Sequence, residues 1–199
     1  MTGPETLRAA LRDTPHAEWV EDALAAAAER PGTFRRSFAA AGRRAGRAPL
    51  PGVPGWTADE ATRALLLLAA DQGAAEVCEV YWQGDADEKR AVLKALPMLP
   101  VGTAAVPLLH DALRTNDTRL VAAALGPYAR HLDQAAWRQA VLKCVFMDVR
   151  LAAVDRLGER ADAELAAMLA AFAEERAAAG RAVPDDATAL LHSLSSQES

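Results

Sequence analysis

Polar and aromatic side chains that could bind a small molecule are concentrated in one helical stretch of the C-terminal half. Gln139 and Lys143 are four residues apart, so a helix would present them on one face. Trp137 would lie about 120° around the same helix from Lys143. Arg114 and Asn116 occupy a turn between helices, which a repeat fold would place near that face. With Tyr128, the candidate ligand-binding residues are therefore Arg114, Asn116, Tyr128, Trp137, Gln139 and Lys143.

These residue types suit an anionic or hydroxyl-rich ligand, because arginine can hold a carboxylate or phosphate with two parallel hydrogen bonds. A structural interpretation competes with this one. Lys143 could extend its charge past Trp137 to solvent, and Arg114 could cap the carbonyl groups at the end of its helix.

Acid–base chemistry has two candidates, Lys143 and His110. His110 is followed by Asp111, but neighbours in a helix point about 100° apart, so the two would not form a dyad. His110 would share its face with Arg114 instead. The sequence contains no HxxxH or HExxH motif and no cysteine cluster, and we predict no metal and no cofactor.

Six arginines and no acidic residue lie between residues 30 and 47. Arg36, Arg43 and Arg47 would fall near one helical face and could bind phosphate or an acidic partner. The alternative is a solvated basic face that balances an acidic protein.

Composition limits the fold and the function. The 199 residues suit one domain, and a chain rich in alanine and leucine with few aromatic residues favours closely packed helices. The net charge of -5 argues against a nucleic-acid-binding protein. Two cysteines fit a reducing cytoplasm, and the first residues lack the apolar core of a signal peptide. We therefore predict a cytoplasmic protein that does not insert into a membrane.

The elements that would position these side chains are helices, since no run of alternating β-branched residues occurs. The Pro/Gly segment 48–56 predicts a hinge between N-terminal helices in residues 1–50 and a helical domain in residues 57–192, both parts of one compact unit. Asp87, Asp117 and Asp148 recur every 30 or 31 residues, each followed two positions later by a basic residue. This spacing favours an all-α superhelix of HEAT-like repeats.

Several segments, taken in order, resemble the EboA family of metabolite-traffic proteins: SFAAAGRRAGRAPL (37–50), GDADEKRAVLKALPMLP (84–100), LHDALRTND (109–117), PYARHL (127–132), W-x-Q-x-VLK (137–143) and RADAELAAMLAAFAEERAAAGR (160–181). Gly126, Arg138 and Asp162 stand where the resemblance leads us to expect asparagine. The resemblance implies a HEAT-like helical fold. It also implies a gene that lies beside biosynthetic genes and a role in moving a secondary-metabolite precursor, with no established catalytic residue.

Three functions follow as hypotheses. The first is a non-catalytic protein that holds a small metabolite, or a biosynthetic partner protein, in the groove of an α-solenoid. The second is a metal-free isomerase, cyclase or transferase that uses Lys143 or His110 as its acid or base, which would require a closed and dry pocket. The third is a protein-interaction adaptor, which would require an exposed apolar patch of several hundred Å².

Overall fold

The computed structural model describes residues 2–197, and the regular secondary structure of this part of the chain is helical, without a β-strand. The all-α prediction is confirmed. The helices are α1 (Pro4–Arg12), α2 (Ala17–Glu29), α3 (Phe34–Arg44), α4 (Ala58–Ala69), α5 (Ala74–Gln83), α6 (Ala86–Ala95), α7 (Val106–Arg114), α8 (Thr118–Ala124), α9 (Gln134–Phe146), α10 (Leu157–Arg160), α11 (Ala163–Ala178) and α12 (Asp185–Gln197). Short 3₁₀ turns lie at Pro31–Thr33, Leu96–Met98, Pro127–His131 and Leu151–Ala153.

The HEAT-like repeat is not confirmed, because the three recurring aspartates have different structural roles. Asp87 lies inside α6 and pairs with Arg47, whereas Asp85 is the residue that caps this helix. Asp117 caps α8 by accepting a hydrogen bond from Arg119 N. Asp148 follows the end of α9 in a left-handed conformation, with φ of 58°. Equal spacing in the sequence therefore does not correspond to equivalent positions in the fold.

The chain divides into two compact units, residues 1–111 and residues 112–199. The Pro/Gly segment 48–56 does not separate them, because it packs into the first unit through the buried side chains of Leu50 and Val53. Backbone hydrogen bonds close the segment, from Leu50 N to Trp56 O at 2.7 Å and from Ala58 N to Ala48 O at 3.0 Å. It is a structured part of the first unit.

Helix α4 is the centre of the first unit, and α1, α2, α3 and α6 all pack against it. Every residue from Ala58 to Leu67 is buried, although this stretch includes Asp59, Glu60 and Arg63. A helix can be buried on all sides only if its charged groups find partners, because an unpaired charge in the interior is very costly.

The two closest partners of Arg63 come from its own helix and from α3. Its Nη1 lies 2.6 Å from Asp59 Oδ2, and its Nε donates to the carbonyl of Phe38 at 3.1 Å. The side chains of Arg63 and Asp59 are only 2% and 4% exposed. The guanidinium therefore ties α3 to α4 from within the core.

Glu60 is paired by two cations of α6. Lys94 Nζ lies 2.5 Å from Glu60 Oε2, and Arg90 Nε lies 3.0 Å from Glu60 Oε1. Glu60 also accepts a hydrogen bond from Thr57 N, which completes the capping box at the start of α4. Lys94 donates further to Gly55 O at 2.6 Å, and burial lowers the pKa of its ammonium group. This cluster joins α4, α6 and the Pro/Gly segment.

In the second unit α9 contributes most to the core, through Trp137, Ala140, Val141, Cys144 and Val145. The helix ends in a Schellman motif, in which Val149 N donates to Cys144 O at 2.8 Å and Asp148 N donates to Val145 O at 3.4 Å. The left-handed residue of this motif is Asp148, where glycine is usual.

Replacing Arg63 by methionine should destabilise the protein by about 3–5 kcal/mol, because Asp59 would remain buried without its partner. Urea unfolding followed by circular dichroism measures this change. Arg156→Gln is the matched control, since it removes an exposed arginine paired with Glu159 and should change the stability very little. Equal losses for the two variants would show that the buried pair has no special role.

Asp148→Gly should stabilise the protein by roughly 0.5–1 kcal/mol, because glycine adopts the left-handed conformation without a Cβ penalty. Asp148→Val should destabilise it, since a β-branched residue fits this conformation poorly. Thermal denaturation of both variants tests the assignment, and a melting temperature that rises for valine as well would refute it.

Candidate functional site

A groove with a volume of about 340 Å³ lies on the second unit, along the C-terminal half of α9. Its lining residues come from the turn after α7, from α9 and its C-cap, and from α11; they are Asn116, Gln139, Leu142, Lys143, Phe146, Met147 and Phe172. Pockets that take small organic ligands usually measure about 300–1,000 Å³, so the groove is large enough for one small molecule.

The groove has an apolar part and a polar part. Leu142, Phe146, Met147 and Phe172 supply aliphatic, thioether and aromatic surface. Two large apolar side chains are exposed among the described residues, and Phe146 is the more exposed of the two, at 73%. Asn116, Gln139 and Lys143 supply the polar surface, and no carboxylate is among the lining residues.

Lys143 is held in place by the end of a helix. Its Nζ donates a hydrogen bond to the carbonyl of Leu113 at 2.6 Å, in the last turn of α7. The last carbonyls of a helix have no partner within the helix, and they carry the negative end of its dipole. Lys143 thus satisfies one of these carbonyls while it lines the groove.

Three of the six candidate ligand-binding residues, Asn116, Gln139 and Lys143, line this groove. Arg114 is exposed at the end of α7. Tyr128 is buried, and its ring lies 4.7 Å from the ring of His131.

Trp137 is fully buried, on the core side of α9. The guanidinium of Arg160 lies 4.7 Å from the centre of its ring, and Arg160 also donates to the carbonyls of Ala129 at 2.8 Å and Leu132 at 3.1 Å. Within residues 2–197 no atom accepts a hydrogen bond from Trp137 Nε1. This tryptophan lies in the core beneath α9 and is not a lining residue of the groove.

The apolar lining residues Leu142, Phe146, Met147 and Phe172 were not among the sequence candidates. A signal for two of them was present, because residues 139, 142, 143 and 146 follow the i, i+3, i+4, i+7 spacing of one helical face. Phe172 belongs to the apolar stripe of α11, and only packing could reveal that this ring borders the groove.

The arginine candidates lie in the first unit and do not share one helical face. Arg36 and Arg43 are exposed on α3, but α3 ends at Arg44 and the chain turns at Gly46, with φ of +80°. Arg47 folds back over the helix, so that a Cβ at Gly42 would lie only 3.2 Å from its Nε, and it pairs with Asp87 at 3.3 Å. His110 is partly exposed on α7.

Two of the three departures from the expected family pattern meet in the structure. Arg138 Nη2 lies 2.6 Å from Asp162 Oδ2, and this hydrogen bond holds the pKa of Asp162 well below its usual range. Asp162 also caps α11 by accepting from Leu165 N, and it accepts from Gln134 Nε2 at 3.0 Å. The two positions therefore hold α9 to the start of α11.

The family model described as "Metabolite traffic protein EboA" matches residues 32–192. The chain belongs to the EboA family. Neither the curated proteins nor the solved structures include a significant match.

The EboA match covers the groove and the buried charges of α4 alike. No helix within residues 2–197 is long and apolar enough to cross a membrane. In the same part of the chain, no three histidine, cysteine or acidic residues are grouped so that they could hold a metal ion.

The two cysteines should differ in their reactivity. Burial raises the pKa of the Cys144 thiol to about 12, so this thiol stays protonated and shielded on the core side of α9. Cys78 is partly exposed, and burial raises its pKa as well. We expect Ellman's reagent to modify Cys78 slowly in the folded protein, and Cys144 only after unfolding.

Peptide mass mapping after partial labelling measures this difference, with the Cys78→Ser variant as the control. That variant should show no labelling until it unfolds. Rapid labelling of Cys144 in the folded variant would contradict its position in the core.

Proposed function

We propose that this EboA-family protein binds a small secondary-metabolite precursor in the groove of its second unit and hands it on in the cytoplasm without converting it. The observation that carries the proposal is the composition of the groove, in which apolar side chains lie beside a few hydrogen-bonding groups. Binding sites for small organic molecules have this composition. Family membership supports metabolite handling as the general role.

We argue for binding rather than catalysis because of the state of Lys143. Its ammonium donates to the Leu113 carbonyl, so its charge and its donors suit the orientation of a ligand. Acid–base sites usually pair two titratable groups in different environments, and the residues that line the groove include no second titratable group beside Lys143. The other acid–base candidate, His110, is not among the residues that line the groove.

Docking of a protein is the second candidate function, and the exposure of Phe146 favours it. A phenyl ring that is 73% exposed beside an apolar groove is a feature of protein-binding surfaces as well as of ligand sites. A biosynthetic enzyme that delivers or receives the metabolite would be the natural partner. The two functions are compatible if the partner contacts the groove during transfer.

Native mass spectrometry of the protein purified from its own host tests the proposal. A small molecule that co-purifies and is released by denaturation would support metabolite binding, and its mass would help to identify it. A protein that carries no ligand when it is purified from its own host would oppose the proposal and favour the docking function.

Phe146→Ala should abolish or strongly reduce the co-purifying mass. Its effect on the melting temperature should be small, because an exposed side chain contributes little to the core. Trp82→Ala is the matched control, since Trp82, at 49%, is the other exposed large aromatic residue within residues 2–197 and lies in the first unit. Equal ligand loss in the two variants, or no loss in Phe146→Ala, would refute the assignment of the groove.

A further inference from the structure

The distribution of charge in the groove restricts the ligand that it can hold. Lys143 is the only charged residue among the lining residues described, and no carboxylate accompanies it there. An ammonium group has three donors, and the bond to the Leu113 carbonyl uses one of them. A ligand with an anionic oxygen would satisfy a further donor and neutralise the charge.

The neighbouring amides are consistent with an oxygen-bearing group. Asn116 and Gln139 are both exposed at the groove, and their side-chain NH₂ groups are donors. A carboxylate has about four acceptor positions, more than a single lysine can fill. Two amides beside Lys143 can therefore share the binding of one carboxylate.

The apolar side chains favour a flat ring system over a flexible chain. Phe146 and Phe172 both line the groove, and aromatic rings attract one another in offset or edge-to-face geometry beyond the gain from area alone. Met147 adds a thioether, which also makes favourable contacts with aromatic rings. An aromatic ligand would cover Phe146, which is otherwise largely exposed to water.

We propose that the ligand of this groove is a flat aromatic or conjugated molecule with one anionic oxygen group, a carboxylate or an ionised phenol. The anionic group binds Lys143 and the amides, and the rings lie against Phe146 and Phe172. This assignment rests on the proposed function, because it names the chemical class of the metabolite that the groove holds.

Three probes of similar size separate the two parts of the assignment. 2-Naphthoate has both the ring system and the charge, 2-naphthamide has the same rings without the charge, and decahydro-2-naphthoate has the charge on a saturated frame. We expect 2-naphthoate to bind about tenfold more tightly than 2-naphthamide, because charge-assisted hydrogen bonds are about twice as strong as neutral ones. We expect it to bind about tenfold more tightly than decahydro-2-naphthoate as well, because only aromatic rings can stack on Phe146 and Phe172. Titration calorimetry and ligand-observed NMR measure the three affinities.

Variants at Lys143 locate the anionic group. Lys143→Met should weaken 2-naphthoate to the affinity of 2-naphthamide and leave 2-naphthamide unchanged, whereas Lys143→Arg should keep the preference for the acid. Arg181→Gln is the control for net charge, because Arg181 is an exposed cation outside the groove. Lys143→Met also loses the bond to Leu113 O, so binding of 2-naphthamide reports whether the groove remains folded.

The outcomes distinguish the ligand class from the function. Equal affinity for the acid and the amide, or for the aromatic and the saturated acid, would overturn the proposed class. If none of the three probes binds, while a neutral or aliphatic molecule co-purifies with the wild-type protein and not with Phe146→Ala, the proposed ligand class is wrong but metabolite binding in the groove is supported. Loss of affinity for both the acid and the amide in Lys143→Met would make Lys143 structural and refute its role as the anion contact.

Discussion

The structure of the first unit depends on the pairing of charges that α4 carries into the core. Asp59, Glu60 and Arg63 are as deeply buried as the leucines that follow them. Each lies against an opposite charge, and the partners of Glu60 come from a helix far along the sequence. Because a buried charge that loses its partner is costly, each contact that ties α3 or α6 to these charges of α4 is expensive to break.

Cations also organise the second unit, but they act on backbone carbonyls. Arg160 covers the ring of Trp137 and donates to two carbonyls near the turn before α9, and Lys143 donates to the last turn of α7. These contacts fix the position of α9 from both ends. The exposed face of α9 can therefore supply groove side chains, while its opposite face remains in the core.

The contact between Arg138 and Asp162 joins α9 to the start of α11 at two positions where the family resemblance predicts asparagine. Both positions were expected to hold asparagine, and here an arginine and an aspartate meet across α9 and the start of α11. Asp162 keeps the capping role that asparagine would also fill, since both residues are good N-caps. The substitutions at residues 138 and 162 therefore affect the packing of α9 against α11. The groove residues Gln139 and Lys143 lie on the same helix, and Lys143 contacts the end of α7.

The sequence by itself determined the local features, because they depend on residues close together in the chain. Composition indicated helices, and the order of several segments indicated the EboA family. It also placed Gln139 and Lys143 on one helical face, next to which the groove forms.

Only the tertiary structure decided how these local features are used. The even spacing of Asp87, Asp117 and Asp148 suggested a repeat. In the structure these aspartates form an ion pair, cap a helix and adopt a left-handed conformation, respectively, and each of these roles suits aspartate. Trp137 lies in the core and Phe146 lies in water, although both are aromatic residues of one helix. The physical reason is that burial depends on which neighbours pack against each face, and those neighbours come from distant parts of the chain.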